Sequence, residues 1–210
     1  MKVVSVNIGE RKKIRWRLRT IETGIFKSPV DQIILDSTDV VNDHVVDRKY
    51  HGGIDKACYL FSADVYDYWK AKYPDLVWDW GMFGENVTVA GLNESEIFIG
   101  STYAIGSAII EVSEPRQPCF KLGIRFGTQK VLKDFIAAAH SGVYVRVLQS
   151  GEVKSGDEMV LLEKGSDVSI LDIFQLLYNK HQSQDLLLKA TQLNKLAEST
   201  RISLSKGINT

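Results

Sequence analysis

Cysteine is nearly absent from the 210-residue chain: Cys58 and Cys119 stand alone, too few for a disulfide framework or a zinc cage. There is no surplus of either charge, since 26 Lys and Arg are matched by 26 Asp and Glu. Nucleic acid is therefore not expected as a main partner, because phosphate binding normally shows as a basic excess or stripe. No apolar run approaches the roughly 18 residues that cross a bilayer. The opening Met1-Lys2-Val3-Val4-Ser5-Val6 reads as a strand rather than a secretory leader. A soluble cytoplasmic protein with no membrane partner is the expectation. GxGxxG, GxxxxGK[ST] and HExxH patterns are also missing, which leaves nicotinamide, flavin, nucleoside-triphosphate and zinc-hydrolase sites without their usual signatures.

What is present describes an ordinary globular protein, with 44% hydrophobic and 25% charged residues. A chain of this length buries about 70% of its unfolded surface, so it needs neither metal nor disulfide merely to fold. Short runs rich in β-branched and aromatic residues cover Lys2–Ile8, Gln32–Leu35, Ala57–Phe61, Asn86–Val89, Ala108–Ser113, Val143–Leu148 and Glu158–Leu162. Turns at Ile105-Gly106-Ser107 and Ser155-Gly156-Asp157 punctuate them. Many short strands without βαβ alternation predict a mainly β fold, a closed or nearly closed barrel.

Ser62 is a candidate cap for a helix running to Tyr73 and stopped by Pro74. Thr128 is a candidate cap for a second helix, with Gly142 just past its end. After Glu163 the texture changes to apolar spacing that suits three short helices, with Asn194 a candidate cap for the last. The division expected is a β-barrel domain over 1–165 and a helical extension over 166–210. That extension is mildly basic. The run Arg11, Lys12, Lys13, Arg15, Arg17, Arg19 is also locally basic and reads as a solvated loop or edge strand, or as a site for an anionic group.

Four clusters could carry chemistry. Phe26-Lys27-Ser28-Pro29-Val30 sets a cation and a hydroxyl beside a stiff proline. In Asp47 to Ala57, which includes Arg48 and His51, the paired Gly52 and Gly53 allow close backbone approach to a ligand. Gly81-Met82-Phe83-Gly84-Glu85-Asn86 is a glycine-rich turn ending in two strong hydrogen-bonding side chains. Glu114-Pro115-Arg116-Gln117-Pro118-Cys119-Phe120-Lys121 follows a predicted strand. Arg116 and Lys121 flank Cys119 and favour its thiolate, the form that attacks electrophiles or binds metal. Cys58, in an apolar strand, reads as a small core residue. A dyad of Cys119 with His51 can also be drawn, with no geometry from sequence to support it.

As an ordered set, HGGIDKA at 51–57, GMFGEN at 81–86, IGSTYAIGSAIIEVSEPRQPC at 99–119 and VKSGDEMVL at 153–161 resemble the MOSC family, named after the C-terminal domain of molybdenum-cofactor sulfurase. The resemblance covers about residues 1–163, and the tail resembles the three-helix extension of YiiM-type bacterial members. It implies a β-barrel that binds a pterin-based molybdenum cofactor (molybdopterin), with Cys119 matching the cysteine that ligates the metal. Pyridoxal phosphate is also associated with the family. Lys27 and Ser28 match one position that holds the pterin phosphate, and Arg48 and Arg116 match others. His51, Gly52, Gly53, Gly84, Glu85 and Asn86 match motif positions.

The resemblance further implies reduction of small N-hydroxylated compounds, such as hydroxylaminopurine-type bases, to amines. The cofactor rather than a side chain would supply the oxygen transfer. The electrons would come from an external donor protein, a flavin or iron–sulfur reductase, since this chain shows no such motif. Two other readings stand beside it: a non-catalytic cofactor carrier, and sulfur transfer through a Cys119 persulfide. For the tail, docking of an acidic donor and a purely packing role are both open.

Overall fold

The computed structural model describes residues 1–44, 46, 52–179 and 183–208. Twelve strands and six helices are described: β1 (Lys2–Gly9), β2 (Lys12–Trp16), β3 (Arg19–Thr23), β4 (Lys27–Val30), β5 (Gln32–Leu35), β6 (Cys58–Ser62), α1 (Tyr66–Lys72), β7 (Val87–Ala90), β8 (Thr102–Ile105), β9 (Ala108–Pro115), α2 (Phe120–Arg125), α3 (Lys130–Ala138), β10 (Val143–Gln149), β11 (Gly151–Lys154), β12 (Met159–Glu163), α4 (Ile170–Tyr178), α5 (Gln184–Thr191) and α6 (Glu198–Ser205). The fold is mainly β with a few helices, as the residue pattern predicts.

Eight strands form one sheet in the order β12-β8-β9-β10-β6-β7-β1-β4, while β11 pairs with β5 and β2 with β3. The expected barrel is not closed by a ladder. Where β1 nears β12, contact shrinks to one bridge, Lys2 to Glu158. Beside it the Val3 N–H donates to the Asp157 carbonyl at 2.8 Å and the Met159 N–H to the Met1 carbonyl at 2.9 Å. Every ladder in the large sheet is antiparallel except β6 with β7. That parallel pair requires a crossover, supplied by the segment containing α1.

Alternation along β6 explains where the core sits. Cys58 and Leu60 face an aliphatic cluster that includes Val6, Val87, Ile110 and Val145. Tyr59 and Phe61 face an aromatic cluster with Tyr66, Trp69, Phe83 and Phe135. In the second cluster Phe61 stacks on Phe83 at 4.1 Å between ring centroids, fixing the 81–86 turn against the strand.

Several local expectations need correction. Ser62 ends β6 rather than capping a helix, and α1 begins after Val65 without a side-chain cap. Gln129, not Thr128, is the N-cap of α3, although the Thr128 hydroxyl accepts from the Lys130 N–H at 3.3 Å. Asn194 lies before α6, whose N-cap is Ala197. The three tail helices do form. Ser169 caps α4 in a reciprocal box with Asp172, and Ser183 caps α5.

These helices bury their apolar faces in the same clusters as the strands: Val168, Ile173, Leu187, Leu196 and Leu204 join the aliphatic one and Phe174 the aromatic one. Backbone bonds reinforce the seam, among them Ile170 N–H to Ile97 carbonyl at 2.8 Å and Ala197 N–H to Ser113 carbonyl at 3.1 Å. Phe174→Ala, removing a ring only 1% exposed, is expected to destabilise the protein by about 3–5 kcal/mol. Urea unfolding followed by fluorescence and by circular dichroism should show one shared transition moving to lower denaturant. Two separate transitions would show that the tail melts independently.

Candidate functional site

One cleft gathers residues from six parts of the chain. The segment between β3 and β4 contributes Thr23, Gly24, Ile25 and Lys27, and the loop after β5 contributes Asp43, His44 and Val46. Lys56, Ala57 and Tyr59 come from the start of β6, Gly84 and Asn86 from the glycine-rich turn, and Arg116, Cys119, Lys121 and Tyr144 from the β9–α2 region and β10.

Close backbone packing builds one wall. A Cβ on Gly9 would lie 2.2 Å from the Gly24 carbonyl oxygen, and one on Gly24 would lie 1.9 Å from that of His44. Only glycine permits three backbone segments to meet there. Beyond them the Lys27 ammonium forms a buried ion pair with Asp43. Asp43 also accepts from the Gly9 N–H at 2.8 Å and from the Asn86 amide at 3.0 Å. Asn86 in turn accepts from the Tyr59 N–H at 3.3 Å. Lys27→Ala alone would therefore strand a buried carboxylate, a loss of about 3–5 kcal/mol.

Glu85 does not line the cleft. It is fully buried and accepts from the N–H groups of Gly81 at 2.9 Å and Phe83 at 3.0 Å, from the Thr88 hydroxyl at 3.0 Å and from the Tyr66 phenol. Burial pushes its carboxyl above the usual range, against these donors. Its role is to hold the turn that presents Gly84 and Asn86.

Arg116 clamps the same turn from the other side by donating to the Phe83 carbonyl. Its guanidinium lies 4.9 Å from the Tyr59 ring centroid. On the floor, Lys56 pairs with buried Glu114 at 3.2 Å. Among the described residues the lining thus carries four cationic side chains, Lys27, Lys56, Arg116 and Lys121, against the single carboxylate of Asp43. Such a surface favours an anionic ligand.

Cys119 is a free, half-buried cysteine in this cationic setting, in extended backbone immediately before α2. Cys58 is 1% exposed, and burial pushes its thiol up to about 12.

Of the residues singled out from the sequence, Lys27, Gly84, Asn86, Arg116 and Cys119 converge on the cleft. Ser28 is exposed on β4 and outside its lining, as strand alternation from Lys27 dictates. Gly52 and Gly53 also lie outside the lining, but Gly53 adopts φ 93° and opens the 3-10 turn Ile54–Lys56 that delivers Lys56. Arg48 and His51 lie outside the described residues. Asp43, His44, Tyr59 and Tyr144 were not anticipated. Lys56 sat inside a motif cluster without being singled out, and Lys121 was singled out only as a cation flanking Cys119.

The MOSC domain profile matches residues 47–160, a span that contains the glycine-rich turn, Arg116 and Cys119. The chain belongs to the MOSC domain family. Its likeness to YiiM-type members of that family extends over the whole length. The crystal structure of YiiM from Geobacillus stearothermophilus superimposes with a TM-score of 0.82 at 29% identity, covering 99% of this chain and 98% of that one. The uncharacterised protein YflK of Bacillus subtilis is 34% identical over 207 residues, 97% of this chain and 93% of the relative. A protein of Gibberella moniliformis named a reductase is 34% identical over 179 residues, which is 82% of this MOSC chain but 32% of that longer protein. Among the described residues no helix is long and apolar enough to cross a membrane.

The two cysteines should separate in reactivity. At pH 8 a thiol near 12 is ionised to only about 1 part in 10⁴, and Cys58 is also shielded by packing. Iodoacetamide is expected to place one label per native chain, on Cys119, with Cys58 labelled only after denaturation. Peptide mass mapping showing equal modification of both would contradict this placement.

Proposed function

We propose that the cleft binds a pterin-based molybdenum cofactor and that the protein reduces N-hydroxylated compounds, such as hydroxylaminopurine-type bases, to amines. The observation that carries this reading is a free cysteine thiol on the lining of one cleft among four cationic side chains. A thiolate is a polarizable donor suited to a metal that changes oxidation state. One protein donor suffices where the cofactor brings the metal's other ligands itself. Lys27, Lys56, Arg116 and Lys121 suit the phosphate, since an anion withdrawn from water needs cations or hydrogen-bond donors around it. By the family resemblance, Arg48 and His51 complete the cradle. The reductase name of the Gibberella relative supports turnover over storage.

When bound, the cofactor supplies the oxygen-atom transfer chemistry, and the overall balance is R–NHOH plus two electrons and two protons giving R–NH2 and water. The chain's own groups bind and orient. Cys119 offers Sγ, Asp43 anchors Lys27, and Asn86 anchors Asp43. His44 lines the cleft with Nδ1 3.3 Å from the Gly9 carbonyl oxygen. The electrons come from a separate flavin or iron–sulfur protein.

Two variants test this in protein made in cells that synthesise the cofactor. Cys119→Ala should lose bound molybdenum and essentially all reduction of an N-hydroxylated base, while Cys58→Ala keeps both. Lys27→Met combined with Asp43→Asn removes the buried pair without stranding either partner, so the fold should persist while molybdenum per chain falls. Elemental analysis and turnover with reduced methyl viologen read both results. Full molybdenum and activity in Cys119→Ala would sink the assignment. A molybdenum-free wild type carrying a persulfide on Cys119 would favour sulfur transfer instead.

A further inference from the structure

The hairpin of β2 and β3 carries an unusual surface. Six cations, Arg11, Lys12, Lys13, Arg15, Arg17 and Arg19, lie within nine residues. Glu22 answers two of them, Arg11 at 3.4 Å and Lys13 at 3.9 Å. Lys12 lies over the Phe26 ring and Arg17 over Trp16. Among the described residues Arg15, Arg17 and Arg19 have no acidic partner.

The tip is not built for stability. Arg17 adopts φ 54°, a conformation that asparagine or glycine enters at lower cost. The next residue, Leu18, is 93% exposed. A strained arginine and a bare leucine between uncompensated arginines describe a recognition surface, with a cationic rim around an apolar anchor.

Its position gives it a role. Thr23, at the end of β3, and the adjacent Gly24 line the cleft. Trp16 packs on Phe120 at 5.9 Å, and Phe120 directly follows Cys119. The geometry points to this hairpin as the docking surface for an acidic flavin-containing electron-transfer protein, seated beside Cys119. The surface stands on the structure, while the identity of its occupant rests on the reduction chemistry proposed above.

The tail helices, also mildly basic, are a weaker platform: Lys189 is paired with Asp167 and Lys195 with Glu111. A membrane surface fits less well, because one exposed leucine supplies little insertion energy and stable anchoring takes two signals. In the docked state two reduced flavoproteins each give up one electron. Water supplies two protons, the N–O bond breaks, and amine and water leave.

Reduced flavodoxin, an acidic flavin carrier, is the probe, used with the intact protein and titrated calorimetrically at low and high ionic strength. Wild type should bind, and more weakly as salt rises. The combined Arg15→Ala, Arg17→Ala and Arg19→Ala variant should bind about tenfold more weakly with a flatter salt dependence. Leu18→Ser should weaken binding without changing that dependence. Turnover driven by flavodoxin should fall in step, while turnover driven by reduced methyl viologen stays at the wild-type rate. No turnover of wild type with viologen would defeat the reduction reading, and the binding titration would still decide the docking surface. Absence of flavodoxin binding to wild type, equal affinity in the triple variant, or hairpin-dependent binding to phosphatidylserine vesicles in its place would overturn the proposal.

Discussion

The architecture depends on a strand with no face in water. Each residue of β6 is buried, so its alternating side chains must be matched on both sides. An aliphatic cluster answers Cys58 and Leu60, and an aromatic one answers Tyr59 and Phe61. The strand thereby becomes the wall between two cores, and the groups around it inherit its rigidity. Asn86 exchanges hydrogen bonds with the Tyr59 backbone, donating its own N–H to the Tyr59 carbonyl at 2.8 Å. Phe83 is held by stacking on Phe61, and Arg116 is held by Phe83 and Tyr59. The cleft is thus assembled from side chains whose rotamers are set by core packing, the preorganisation a binding site needs.

Charge is distributed by the same logic. The buried Lys27–Asp43 pair is costly to desolvate and returns little net stability. Two further donors, the Gly9 N–H and the Asn86 amide, reach its carboxylate, and Asn86 is itself held by the Tyr59 N–H. Such an arrangement suits a cation that must be held at a fixed point for a ligand. Lys56 is treated alike: its partner Glu114 is buried and also accepts from Thr200 in α6. The tail therefore contributes polar as well as apolar support to the cleft.

The sequence revealed most where residues repeat a local pattern. Gln32–Leu35 is found with its expected ends, and the other six predicted strands fall within two residues of their positions. β2 and β3 were legible only as a loop or edge strand, because charged residues fill their solvent faces and blur the alternation. α2 escaped because six residues make less than two turns. In the site, residues belonging to motif clusters were legible, including Cys119 and Asn86. Asp43, Tyr59 and Tyr144 were not, because each is an ordinary residue on its own segment and acquires meaning only when the sheet brings them together. Glu85 carried a motif signal whose physical cause is the shape of a turn. A carboxylate collecting amides and a carboxylate meeting a ligand look the same in sequence.

The seam between β1 and the start of β12 imposes an order on synthesis. β1 can pair early with β4, only 18 to 24 residues away across the register Gly9↔Lys27 to Val6↔Val30. Its N-terminal half pairs with β7, but the other edge of that half stays uncovered until Asp157 and Met159 exist. At ordinary elongation rates of about 5–20 residues per second, that wait is roughly 6–26 seconds. Through that interval Val3 and Val6, core residues in the finished protein, lack part of their cover. The nascent chain thus resembles an unclosed ring whose first segment must stay out of other pairings until the last strands emerge, a demand on chaperones rather than on stability.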